Sequence, residues 1–295
     1  MEKDKLTESK TENKTDNKTN KKGKKKKSSA LYWILLVLLF AVFAGCLIYL
    51  VKYFWESKKS EDKVDELREL IVIDENSNMH QPDTVATASD AETDTFEEVD
   101  GKRILSKYVN LYKRNNDFIG WLTIEGTVID YPVMQSMYDE EYYLRRDFDK
   151  EYSYAGTLFI DTSCNVEKPS DNIIIYGHHM NTGKMFHELE EYDEEDYYEK
   201  HKFITFDTIY GSGTYEVIAA YRTKIYDEDY TGFKYYEFFD ARDSVEFENY
   251  VSNSKSLTPY NIEASAKYGD SLITLSTCAY HTENGRFVVV ARKME

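Results

Sequence analysis

Leu272-Ile273-Thr274-Leu275-Ser276-Thr277-Cys278 is followed, eight residues after the cysteine, by Arg286-Phe287-Val288-Val289-Val290-Ala291. Both runs are short, apolar and rich in β-branched residues, and they read as buried strands. If they pair, Cys278 and Arg286 lie at the same end of adjacent strands, flanking one loop. A thiol beside a fixed guanidinium suits acyl transfer, because the cation favours the thiolate and can hold an oxyanion or a substrate carbonyl. A lone cysteine also has an ordinary role as a small buried hydrophobe, and an arginine at a strand start is ordinarily a solvated charge. A histidine elsewhere decides between the readings. Asn172-Ile173-Ile174-Ile175-Tyr176-Gly177-His178-His179-Met180 supplies one, where another apolar strand ends in Gly and then His. Consecutive side chains of a strand point to opposite faces, so only one of His178 and His179 can face the cysteine. The residues alone leave open which.

Acyl transfer needs a nucleophile, a proton shuttle and an oxyanion stabiliser. A thiolate attacks an amide carbonyl readily. Histidine titrates near neutrality and can protonate a leaving amine and deprotonate an incoming one. Arginine carries a permanent charge and a forked donor set.

These elements resemble the sortases, the cysteine transpeptidases of the Gram-positive cell surface. The family's signature is a T-L-x-T-C strand end, here Thr274-Leu275-Ser276-Thr277-Cys278. An arginine opens the next strand, and a histidine follows a glycine at an earlier strand end. The resemblance covers about Ile104 to Lys293. It implies Cys278, His178 and Arg286 as the catalytic residues, with His178 chosen over His179 because it follows Gly177 directly. It also implies that Ser276 and Thr277 border the substrate groove. Tyr280 and the Tyr221–Tyr236 region are read as an aromatic pocket wall. His281 is close to Cys278 but lacks the family match, and His80, His187 and His201 are expected to be exposed.

The implied fold is mainly β with added helices, a closed eight-stranded barrel. A leading helix and a helix inserted before the cysteine strand are similar to class B sortases. The implied reaction cleaves a C-terminal sorting motif after its threonine in a secreted surface protein. It passes through a thioacyl-enzyme and joins the product to an amine of a peptidoglycan precursor. Two other classes fit the bare residues: a cysteine endopeptidase, where water resolves the intermediate, and a non-catalytic membrane-tethered adhesin.

Charge is uneven along the chain. Residues 1–29 hold 11 lysines against 5 acidic residues, while the remainder holds 26 basic against 49 acidic. Nucleic acid is excluded as a partner for so acidic a body, since phosphate binding needs a basic surface. Ala30 to Val51 is uncharged and strongly apolar. As a helix it would extend about 33 Å, enough for a hydrocarbon core of about 30 Å. A signal peptide would have a shorter apolar region and a small-residue cleavage site, so a retained single span is expected. The lysines before it predict a cytoplasmic N-terminus and an external catalytic domain.

Of three cysteines, Cys46 lies in the span. Cys164 and Cys278 could pair, but a free thiol at Cys278 suits its context better, and Cys164 is read as incidental. No calcium loop or clustered Cys/His pattern is visible, so no metal and no cofactor are expected.

The expected organisation is a basic tail (1–29), a span (30–51), a charged stalk and flexible linker (52–100) and a catalytic domain (101–295). Val64, Leu67, Leu70 and Ile71 give the stalk amphipathic helical spacing, and the acidic run from Asp74 to Asp100 reads as the flexible linker. A helix is predicted from Lys102, using Ile104, Leu105, Tyr108, Leu111 and Tyr112. A hairpin follows around Glu125-Gly126-Thr127. Met185 to Lys202 reads as helical. Ser244 to Ser252 reads as a helix with Val245, Phe247 and Tyr250 or Val251 inward.

Overall fold

The computed structural model describes residues 28–71 and 94–294. Nearly all of the basic tail and most of the linker lie outside them. The chain divides into two units, one ending at Val51 and one running from Lys52. The first carries most of the apolar part of helix α1 (Ser28–Glu69), whose side chains from Tyr32 to Val51 are almost all exposed. Among the described residues this is the one helix long and apolar enough to cross a membrane, with a mean hydropathy of 3.0 in its most apolar window.

The second unit begins with the polar end of α1, which is docked rather than free-standing. Leu67 is 1% exposed and, with Val64, Leu70 and Ile71, packs against Leu111, Tyr112 and Phe148. The amphipathic spacing of the predicted stalk is therefore spent on a packing face. Ion pairs fix the same segment, Lys63 and Arg114 both bonding Asp149.

The linker reading ends too late. Strand β1 (Phe96–Val99) pairs antiparallel with β2 (Lys102–Leu105). Asp100 and Gly101 make the turn, with φ of 52° and 75°. Asp-Gly is the dipeptide a two-residue hairpin of this kind demands. That pairing withdraws 102–105 from the predicted helix, and α2 spans only Val109–Arg114, after a single 3-10 turn.

The remaining eight strands close a barrel. They are β3 (Phe118–Thr123), β4 (Asp130–Met134), β5 (Leu158–Ile160), β6 (Asn172–Tyr176), β7 (Phe203–Thr208), β8 (Thr214–Lys224), β9 (Leu272–Cys278) and β10 (Gly285–Lys293). The order around the barrel is β10-β8-β7-β3-β4-β5-β6-β9, with β9 pairing back to β10. Two pairs are parallel, β4 with β5 and β6 with β9. The predicted hairpin is β3–β4. Pro132 sits in β4 where only β3 pairs with it, so its missing N–H costs no ladder bond.

Every strand contributes to one apolar cluster, including Leu122, Val133, Leu158, Ile173, Phe206, Val217, Leu275 and Val289. This cluster fills the barrel. Outside it, α4 (Ser244–Leu257) covers the β8–β10 side through Phe247, Tyr250 and Val251. Asp243 caps α4 by accepting from the Glu246 amide, the usual service of an acidic N-cap. Val245, expected inward, is 62% exposed. The helix turns Phe247, Tyr250, Val251 and Ser254 inward, and Val245 falls outside that stripe. The predicted helix over 185–202 is a 3-10 segment (His187–Asp193) followed by α3 (Glu195–Lys200).

Candidate active site

The antiparallel register of β9 and β10 sets Arg286 directly opposite Cys278. The face they share follows from the alternation of β9. Ile273 and Leu275 belong to the barrel-filling cluster. Thr274 and Ser276 point outward, where their hydroxyls bond Tyr250 Oη and Tyr235 Oη, each at 2.7 Å. Cys278 continues this outer row. Val288 and Val290 of β10, in register with Arg286, pack in the same outer cluster.

Strand β6 brings the histidine. It runs parallel to β9, and residues 172–176 pair with 272–276. The Gly177 amide donates to Ser276 O at 3.1 Å, and Thr277 Oγ1 donates to Gly177 O at 2.8 Å. The ladder itself ends at Tyr176 opposite Ser276, and these two bonds deliver His178 and His179 to the end of β9 that carries Cys278. Gly177 is required by close packing, since a Cβ there would collide with the side chains of Leu158 and Phe186.

His178 is half-buried. Its Nε2 donates to Leu144 O at 2.8 Å, so in the neutral ring the proton is on Nε2 and Nδ1 is left to exchange one. Burial lowers its pKa below the usual imidazole value. The bond to Leu144 opposes this, and the Arg145 charge adds to it. The 3-10 turn Tyr142–Arg145 supplies that carbonyl.

Arg286 Nη1 donates to Gly285 O at 2.9 Å. Among the described residues no carboxylate forms an ion pair with it, so its charge is not neutralised nearby. Tyr235 is fully buried with its hydroxyl near both Arg286 and Cys278. Burial pushes its pKa up to about 12, against the Ser276 bond and the Arg286 charge.

Ser276 and Thr277 are buried, and their hydroxyls are already engaged within the protein. Tyr280 is 74% exposed and its ring meets His179 edge-on, with centroids 5.5 Å apart. His281 is exposed. His187 and His201, expected at the surface, are half-buried. His187 packs against His179 at 4.5 Å, and His201 Nδ1 bonds Glu125 O. His80 lies outside the described residues. Cys164, read as incidental, is a buried member of the barrel-filling cluster.

Two site groups have no strong mark in the sequence. The Leu144 carbonyl is backbone. Tyr235 is one of 26 tyrosines, and only the Tyr221–Tyr236 region as a whole is legible as an aromatic wall. A cleft of about 710 Å³ lies elsewhere, between the start of the second unit and the 147–155 loop, and none of the three candidate catalytic residues lines it.

The sequence model of the Sortase domain matches residues 122–294. Sortase B of Staphylococcus aureus is 33% identical over 193 residues, covering 65% of this chain and 76% of that protein. Sortase B of Listeria monocytogenes is 36% identical over 184 residues, covering 61% and 71%. The structure of a Staphylococcus aureus sortase B–substrate complex superposes with a TM-score of 0.65 at 27% identity, covering 82% of this chain and 99% of that one.

Proposed function

Since this chain belongs to the sortase family, with class B members among its relatives, we propose that it is a membrane-anchored cysteine transpeptidase that cleaves a sorting motif after its threonine and joins the secreted protein to an amine of cell-wall peptidoglycan. Cys278 is the nucleophile. Its thiolate attacks the threonine carbonyl, and Arg286 holds the developing oxyanion. His178 gives a proton from its ring to the leaving amine, and a thioacyl-enzyme remains. An amine then attacks the thioester and restores the thiolate.

One observation supports this reading above the others, the β9–β10 register that sets Cys278 opposite Arg286 at the end where β6 delivers Gly177 and His178. The substrate complex of the Staphylococcus aureus sortase B supports a substrate site on the same fold. The lysine-rich tail before an apolar helix supports a cytoplasmic N-terminus and an external catalytic domain. On this reading residues 1–29 are the tail, 30–51 the anchor and 101–295 the catalytic domain.

The test is incubation of the full chain, in detergent, with a library of threonine-containing sorting peptides and with glycine-type and diaminopimelate-type amines. Mass spectrometry should find amide products that disappear in Cys278→Ala. Free acid alone with every amine would favour an endopeptidase. No thioacyl-enzyme with any peptide would favour a surface adhesin. Protease added to intact protoplasts should digest the catalytic domain and spare the tail.

A further inference from the structure

Next to the candidate catalytic residues, around His179, lies a second group of polar side chains to which the proposed cleavage step assigns no part. His179 and His187 stack at 4.5 Å, and Tyr280 closes on His179 from the cysteine side. Glu190 Oε1 lies 4.0 Å from His179 Nε2. Three buried atoms here have no hydrogen-bond partner: Glu190 Oε1, His179 Nδ1 and His187 Nδ1. The other Glu190 oxygen faces Arg222 Nη1 at 3.5 Å, and Arg222 is also bonded by Asp193. Arg222 lies opposite Phe287 of the barrel-filling cluster, which fixes this group on the inner side of the β8–β10 edge. Glu190 and His179 are half-buried as residues, while Glu190 Oε1 and His179 Nδ1 themselves are buried.

We propose that Glu190 and His179 form the site that receives the incoming amine, an inference that rests on the transpeptidase reading above. A buried carboxylate oxygen with no hydrogen-bond partner, beside a half-buried imidazole, is a site for a cation. A nitrogen about 2.9 Å from each of two atoms 4.0 Å apart makes a good hydrogen bond to both. A primary amine reaches the enzyme as its ammonium ion, which cannot attack a carbonyl. Glu190 binds the ion, and the neutral imidazole of His179 takes one proton. The freed lone pair forms the C–N bond at the thioester carbon. The C–S bond breaks with its electron pair returning to Cys278 Sγ, and the second amine proton passes to His178 Nδ1. The two consecutive histidines thus divide the reaction, one serving each substrate.

The test compares two nucleophiles on the full chain, using the sorting peptide that wild type cleaves fastest. Ethylenediamine is cationic near pH 7 and hydroxylamine is not. The readout is amide formed relative to free acid, which is normalised to the acyl-enzyme. Glu190→Gln should lower the ratio for ethylenediamine about tenfold and leave that for hydroxylamine within about twofold. Glu190→Asp should recover part of the loss. His179→Gln should lower the ethylenediamine ratio in the same way. Unchanged ethylenediamine transfer in Glu190→Gln, or equal losses with both nucleophiles, overturns the assignment. A wild type that yields free acid alone overturns the transpeptidase reading, and this inference with it.

Discussion

Cys164, packed against β6, and Cys278, at the end of the neighbouring strand β9, sit in opposite environments. The Cys164 thiol is sealed among barrel-filling side chains. Its sulfur accepts from the Ile174 amide at 3.3 Å and faces Asn172 O at 3.6 Å. Burial pushes its pKa up to about 12. Cys278 ends β9 half-exposed, with no hydrogen bond to its Sγ among the described residues, and it is paired in register with a free guanidinium. Reactivity at a thiol follows the thiolate and access to it. The barrel denies access to one cysteine and leaves the other half-exposed.

The largest expected break in that symmetry is loss of activity. Cys278→Ala should abolish peptide cleavage and the thioacyl-enzyme, read by mass spectrometry, and His178→Ala should come close to it. Cys164→Ala should keep cleavage within a few-fold and cost about 1 kcal/mol of stability. A folded Cys164→Ala that cannot cleave would end the contrast.

Arg286→Lys sharpens the comparison from the electrostatic side. Lysine keeps the charge and loses the fork, so kcat/KM should fall on the order of 100-fold with an unchanged circular dichroism spectrum. Near-normal turnover would remove Arg286 from the chemistry. Iodoacetamide labelling at pH 8, followed by peptide mapping, tests the thiols directly. Cys278 should be modified at least about tenfold faster than Cys164 in the native protein, and the difference should vanish in concentrated urea. Equal native rates would contradict the burial argument.

The smallest effects concern neighbours. Tyr235→Phe removes the hydroxyl bonded to Ser276 and should cost about 1 kcal/mol, or about fivefold in kcat/KM if the bond steadies the cysteine strand. Burial lowers the pKa of both His178 and His179 from 6.5. The folded state therefore favours their neutral forms, and that stability is present above pH 6.5 and lost as pH falls below it. The thermal midpoint should drop from pH 7 to pH 5, and the double variant His178→Asn/His179→Asn should flatten the drop. An unchanged slope would mean that other groups carry it.

Much of the site was legible because a strand has a period of two and a pairing register is rigid. Two apolar runs and their end residues were enough to foresee Cys278 and Arg286 at one edge. His178 was harder, since choosing it over His179 needed the family pattern. The β6–β9 ladder ends at Tyr176 opposite Ser276, one residue short of Gly177 and two short of His178. Elements were misread where local spacing met a competing partner. Residues 102–105 fit a helical stripe, but Asp100-Gly101 turned them back onto Phe96–Val99. The stripe of Val64, Leu67, Leu70 and Ile71 was seen correctly as a face, yet nothing local indicated that the second unit's own core would cover it.

The sequence by itself determined the eight barrel strands, the apolar stretch and the meeting of Cys278 with Arg286, through periodicity, charge and residue chemistry carried by neighbours in the chain. Singling out His178 took the family pattern. Only the tertiary structure decided that Cys164 is inert, that the Leu144 carbonyl orients His178, that Tyr235 backs the cysteine strand and that Glu190 faces His179. Each of those joins residues 8 to 41 positions apart. Their meeting is set by strand order and barrel closure, which leave no trace in any local stretch of sequence.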